Sequence, residues 1–177
     1  MKQQTIDLTD FMEHAVETSS NPRIRRWGRH VVIHGDGQVR FHEAILNRLL
    51  THENSGGRLP PDPRVLIGCP DEKTIIFQFV SLEYVESDEF KAAFRDKKVF
   101  PYKFTVKKKR GIQARDALYK SGVKQIVDTI NYYKSISSTG RQYPDKLEFA
   151  DPVVDAEKMT ITISTDNIDN GSKKNDG

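Results

Sequence analysis

Apolar residues along this chain recur in two rhythms, every second position and every third to fourth, and each switch between them marks an element. Val31, Val32 and Ile33 form a β-branched run. Gly35-Asp36-Gly37 supplies the positive φ of a tight turn. Val39 and Phe41 then alternate with Gln38, Arg40 and His42, so the second strand has one apolar and one polar face. Arg40 is therefore expected to be exposed. Ala44, Ile45, Leu46, Leu49 and Leu50 come next at helical spacing, enough for about two turns. Residues 53–63, ENSGGRLPPDP, carry the breakers of a loop. Two more strands are predicted at 65–67 and 75–80, with 68–73 as their hairpin connection.

Before this stretch, Phe11, Met12, Ala15 and Val16 line one face of a predicted helix over 9–18. After it, 87–98 (SDEFKAAFRDKK) predicts a helix capped by Ser87, with Asp88 and Glu89 in the first turn and Lys97 and Lys98 in the last. Its apolar stripe is Phe90, Ala93 and Phe94. Alternation returns in Tyr102, Phe104 and Val106 against Lys103, Thr105 and Lys107. Lys108-Lys109-Arg110-Gly111 is a turn, and Ile112 and Ala114 alternate with Gln113 and Arg115. Ala117 and Leu118 begin a helix. Val123, Ile126, Val127, Ile130 and Tyr133 predict another over 122–136. Strands around 147–149 and over 159–164 close the pattern.

The order strand, strand, helix, strand, strand thus occurs twice. The first copy is VVIHGDGQVRFHEAIL with the strands at 65–67 and 75–80. The second is FTVKKKRGIQARDAL with the strands at 147–149 and 159–164. The match is one of pattern, with slight identity. It predicts an α+β fold: a β-rich core of two ββαββ units with peripheral helices at 9–18, 87–98 and 122–136. The expected organisation is an N-terminal helix and basic loop over 1–28, a first unit over 29–85, a helix plus second unit over 86–165, and a disordered tail over 166–177. The tail is read from DNIDNGSKKNDG, which has no apolar residue after Ile168.

Composition narrows the function classes. Of 177 residues, 36% are hydrophobic and 30% charged, and the net charge is +3. No run approaches the roughly 18 apolar residues that span a membrane, and MKQQTIDLTD has no signal-peptide core. The single cysteine, Cys69, precludes an intrachain disulfide, which fits the reducing cytoplasm, in a cell or as part of a phage or mobile element. Positive charge gathers at two places. RIRRWGR holds Arg25, Arg26 and Arg29; KFTVKKKR holds Lys107, Lys108, Lys109 and Arg110. With Arg40, these are the candidate phosphate contacts.

The stretch from Ile33 to His42, IHGDGQVRFH, resembles the AbrB/SpoVT/MraZ type of swapped-hairpin domain. That family's element runs hydrophobic-Asp-x-x-Gly-Arg-hydrophobic-x-hydrophobic-Pro and continues into a short helix. Here His34, Gln38 and His42 stand at its Asp, Arg and Pro positions. The resemblance implies two swapped-hairpin-like units forming a pseudo-dimer within one chain, and double-stranded DNA as a partner.

Candidate chemistry is sparse. His14, His30, His34, His42 and His52 lack the ligand spacing of a zinc site, so no metal or cofactor is expected. His30 and His34 are expected to share a strand face, with His34 facing His42. Pro70-Asp71 followed by Glu89-Phe90-Lys91 imitates a metal nuclease pattern, but Glu89 and Lys91 fall on a predicted helix, whereas that chemistry needs adjacent strand positions. Acidic neighbours Asp71 and Glu72 push the Cys69 thiol away from nucleophilic character. Trp27 sits among arginines and is expected to anchor its loop. Two readings result. One is a non-enzymatic nucleic-acid-binding, transcription-regulator-like protein with basic hairpins on phosphates. The other is a protein-binding adaptor or inhibitor of phage or mobile-element origin, acting on a host protein. Whether two chains associate is left open.

Overall fold

The computed structural model describes residues 30–50, 57–96, 99–106, 110–137 and 146–169. The predicted helix over 9–18, the basic residues Arg25, Arg26 and Arg29, Trp27, and Lys107, Lys108 and Lys109 lie outside them. The fold is α+β, with two antiparallel sheets of four and five strands. β1 (Val31–His34) and β2 (Gln38–Phe41) form the predicted hairpin. α1 (Glu43–Leu49) comes directly after it and buries Ile45, Leu46 and Leu49. His42 caps it, its Nδ1 accepting from the Ala44 amide at 3.2 Å.

β3 (Pro63–Asp71) and β4 (Thr74–Ser81) form a longer hairpin than the turn residues suggest. The strands run on to Asp71 and Thr74, with a register shift between Gly68 and Asp71 that absorbs Cys69 and Pro70. Asp71 Oδ1 accepts from the Lys73 amide at 2.8 Å and holds the tight turn. Two short helices come next, α2 (Leu82–Val85) and α3 (Asp88–Ala93). Ser87 caps α3 as expected, accepting from the Phe90 amide at 3.2 Å. α3 stops at Phe94, short of the predicted end at 98. Phe90 is its only buried residue, which is too little burial to hold a longer helix on the surface.

β5 (Tyr102–Lys103) and β6 (Gly111–Gln113) are short, joined to each other through the Thr105–Gly111 bridge. α4 (Arg115–Lys120) and α5 (Lys124–Ser137) come after them, the second close to its predicted span. β7 (Lys146–Phe149), β8 (Val153–Asp155) and β9 (Thr160–Ser164) complete the sheets. β8 has no counterpart among the predicted strands: it is three residues long and is set off from β7 by Asp151, whose φ is 50°, and Pro152. Residues expected in the tail are partly structured. Thr165–Asn167 is a 3-10 turn, Ile168 bridges Phe149, and the Ala150 amide donates to the Asn167 carbonyl at 2.8 Å.

The four-stranded sheet runs β6-β2-β1-β7 and the five-stranded sheet β5-β3-β4-β9-β8. Strands distant in sequence are thus interleaved: β1 pairs with β7, β2 with β6, β3 with β5 and β4 with β9. The inner faces meet through aromatic rings. Phe41 from the first sheet stands edge-on to Phe77 at 5.1 Å and to Phe79 at 5.4 Å, and Phe104 closes on Phe79 at 5.2 Å. Each such pair adds about 0.5–1.5 kcal/mol beyond the area it buries. α4 and α5 add Leu118, Ile126 and Ile130 to the same core, with Val123 from the turn between them.

Candidate nucleic-acid interface

The β1–β2 turn is not a free tip. Gly35 and Gly37 are buried. A Cβ on Gly35 would lie 2.7 Å from Tyr133 Cβ and 3.0 Å from the Thr129 carbonyl oxygen, so α5 covers the turn. A Cβ on Gly37 would strike the backbone of Arg115, so the start of α4 presses on its other side. Asp36 closes the turn, its Oδ1 accepting from the Gln38 amide at 3.0 Å. On the outward face of its strands Val32, His34 and Gln38 are half-buried and Arg40 is exposed.

That face is set by register. Val39 and Ile112 oppose each other and point into the core. Their neighbours therefore point out, with Gln38 opposite Gln113 and Arg40 opposite Gly111. On the other side of β1, His34 lies opposite Lys146 and Val32 opposite Glu148. One surface thus collects Arg40, His34, Gln38 and Gln113, with Lys146 and Glu148 both on its edge strand β7. Arg40 is exposed, and its Nε donates to Gln38 Oε1 at 3.1 Å. Gln113 Nε2 donates to the Asp36 carbonyl at 3.1 Å. Among the described residues neither Arg40 nor Lys146 is ion-paired. His34 registers the field: burial, then Arg40, hold its pKa below the ordinary 6.5, Asp36 opposes them, and Lys146 adds to the lowering.

Of the basic residues expected to contact phosphate, the described ones are Arg40 and Arg110. They lie close together across the strands, and the Phe41 amide donates to the Arg110 carbonyl at 2.9 Å. Their side chains part company. Arg110 pairs with Glu43 at 3.2 Å, on the first turn of α1. Lys103 is exposed on β5, opposite Arg64 of β3.

The histidines are arranged differently from expectation. The tight turn sets Val32 against Arg40 and Ile33 against Val39, so His34 falls beside Gln38 and not His42. The His42 amide instead donates to the His30 carbonyl at 3.4 Å. His30 is buried, with Nε2 3.6 Å from Asp169 Oδ2. His14 and His52 are outside the described residues. Among the described residues no group of three His, Cys, Asp or Glu is placed to hold a metal. Glu89 and Lys91 lie on α3 and so do not occupy adjacent strand positions. Burial first and Asp71 second push the Cys69 thiol up, against nucleophilic use. Among the described residues no helix is long and apolar enough to cross a membrane.

Lys146, Gln38 and Gln113 join the surface without being singled out by the sequence pattern. The two glutamines share the alternation that exposes Arg40 and are legible there. Lys146 is not, because its place depends on the pairing of β1 with a strand from the far end of the chain.

No family model matches the chain, and neither the curated proteins nor the solved structures yield a match.

Proposed function

We propose that this protein is a non-enzymatic nucleic-acid-binding protein of transcription-regulator type, similar in its hairpin units to the AbrB-like domains, and that it takes double-stranded DNA on the outward face of its four-stranded sheet. The observation that carries the reading is that Arg40 and Lys146 share one outward sheet face with Gln38, Gln113 and His34. Lysine and arginine supply the phosphate attraction, and arginine and glutamine are side chains that read base edges in the major groove. Arg25, Arg26, Arg29, Lys107, Lys108, Lys109 and Arg110 extend the proposed phosphate contacts. With a net charge of only +3, non-specific affinity should be weak, with dissociation constants of roughly 10⁻⁴ to 10⁻⁶ M at physiological salt.

The test is a duplex titration of the full chain against Arg40→Glu with Lys146→Glu. The double variant should weaken binding and flatten the slope of log affinity against log salt by about one unit for each phosphate no longer neutralised. If affinity and slope are unchanged, the sheet face is not the surface. If Lys108→Glu with Lys109→Glu alone abolishes binding, the tip is.

A second reading, a protein-binding adaptor acting on a host protein, is favoured by one observation. Phe100 is 66% exposed and leans on Tyr102 at 4.8 Å, beside the edge strand β5. Partner binding there would persist at high salt and disappear on Phe100→Ala.

A further inference from the structure

The strand pairings repeat themselves under exchange. Take Val39 and Ile112, which face each other, as counterparts. Arg40 then answers to Gln113, Gln38 to Gly111, Phe41 to Ala114 and Gly37 to Arg110. Under that exchange the pair Gln38–Gln113 becomes the pair Gly111–Arg40, and both are present. The hydrogen bond from the Phe41 amide to the Arg110 carbonyl becomes that from the Ala114 amide to the Gly37 carbonyl. Both are 2.9 Å long. Gly37 and Arg110 both adopt positive φ, 94° and 43°. Phe41 and Ala114 are both buried, and a helix begins just after each.

The wider topology exchanges too: β1 pairs with β7 as β5 pairs with β3, and the counterparts β4 and β9 pair with each other. Any antiparallel pair exchanges its register and ladder hydrogen bonds in this way, so the weight falls on the matched positive φ and on the helix that starts after each strand.

We infer that the chain is an internal pseudo-dimer with a dyad between Val39 and Ile112, and that its ligand is a DNA duplex site lacking dyad symmetry, bound by one chain. The second half of this inference rests on the nucleic-acid reading above. A protein dyad laid on a duplex dyad presents its two halves to two half-sites. Ordinary symmetric dimers present identical side chains and so select palindromes. Here the halves differ where they face out. One offers Gln38 and Arg40, the other Gly111 and Gln113. Arginine suits the O6 and N7 acceptors of guanine, glutamine the N6 and N7 of adenine. Each good bidentate contact discriminates by roughly 5- to 150-fold, so the half-sites diverge. The second half cannot copy the first at its glycine. A Cβ on Gly111 would strike the Val39 carbonyl oxygen. Both halves are supplied by one chain, and each sheet draws strands from both, so no second chain is needed to complete the surface.

The experiment is selection of the full chain on a random duplex DNA library, followed by native mass spectrometry on the enriched duplex. The expected result is an enriched motif without dyad symmetry and one chain per duplex. Gln113→Arg is then run through the same selection, with its thermal melt checked against the parent. It should shift preference in one half-site only, toward the sequence read by the other half. A palindromic motif carrying two chains overturns the inference and leaves the nucleic-acid reading standing. So does a motif unmoved by Gln113→Arg in a variant that melts normally. No enrichment, or retention of single strands over duplex, overturns the duplex reading and the inference with it.

Discussion

His34 is the residue at which charge, burial and binding meet. Burial and the cations Arg40 and Lys146 depress its pKa, with Asp36 opposing. An unfolded chain protonates this ring near pH 6.5, the folded protein only at lower pH. As pH falls through that window the unfolded state takes up the proton first. The contribution to stability is fully present above about pH 6.5 and fades as pH falls through the folded value. His34→Gln should flatten the decline of melting temperature across that window. Phosphate near the ring acts in the opposite sense, so duplex affinity should rise on acidification, and His34→Gln should remove part of that rise. Titrations at constant ionic strength, above and below pH 6.5, check both signs. The glycines give a second test at this scale. Gly122 has φ 75° with open space around it, so Gly122→Ala should cost only about 1 kcal/mol of backbone strain. Gly111 sits against the β2 backbone, and Gly111→Ala should cost more, about 1–3 kcal/mol or above, through forced displacement. Denaturant midpoints order the two.

The hairpin of β1 and β2, its turn and the helix after it are legible in the sequence, because alternation, Gly35-Asp36-Gly37 and the Ile45, Leu46 and Leu49 spacing all act locally. The fate of the turn is not. Its burial depends on Thr129 and Tyr133 of α5, nearly a hundred residues on, and no local rule brings them there. Arg40 is legible as exposed, but Lys146 as sharing its face is not, for the same reason. β8 and the ordering of Asn167 through Ile168 escape sequence pattern because each is held by partners rather than by its own periodicity. Phe41 shows what the local alternation contributes once the sheets meet. It touches Phe77, Phe79 and Phe104 across the core, so Phe41→Ala should lower stability by about 3–5 kcal/mol. Equilibrium unfolding in urea measures that decrease, and a change far below the usual cost of emptying a buried phenylalanine site, under ~1 kcal/mol, would mean the sheets do not pack through this ring.

At the scale of the whole molecule, the two sheets are interleaved so that no contiguous stretch of chain closes either one. The consequence is a single surface assembled from β6, β2, β1 and β7, on which Arg40 and Lys146 share one face although their segments are far apart in sequence. DNA is proposed to lie on that surface, and not on the turn of the first hairpin. The most direct measurement is the affinity of the full chain for a random DNA duplex, taken by fluorescence anisotropy from low to moderate salt. The predicted result is binding at low salt that weakens steeply as salt rises, with the slope reduced in Arg40→Glu with Lys146→Glu. Absence of binding at the lowest salt would contradict the DNA reading, as would binding indifferent to salt.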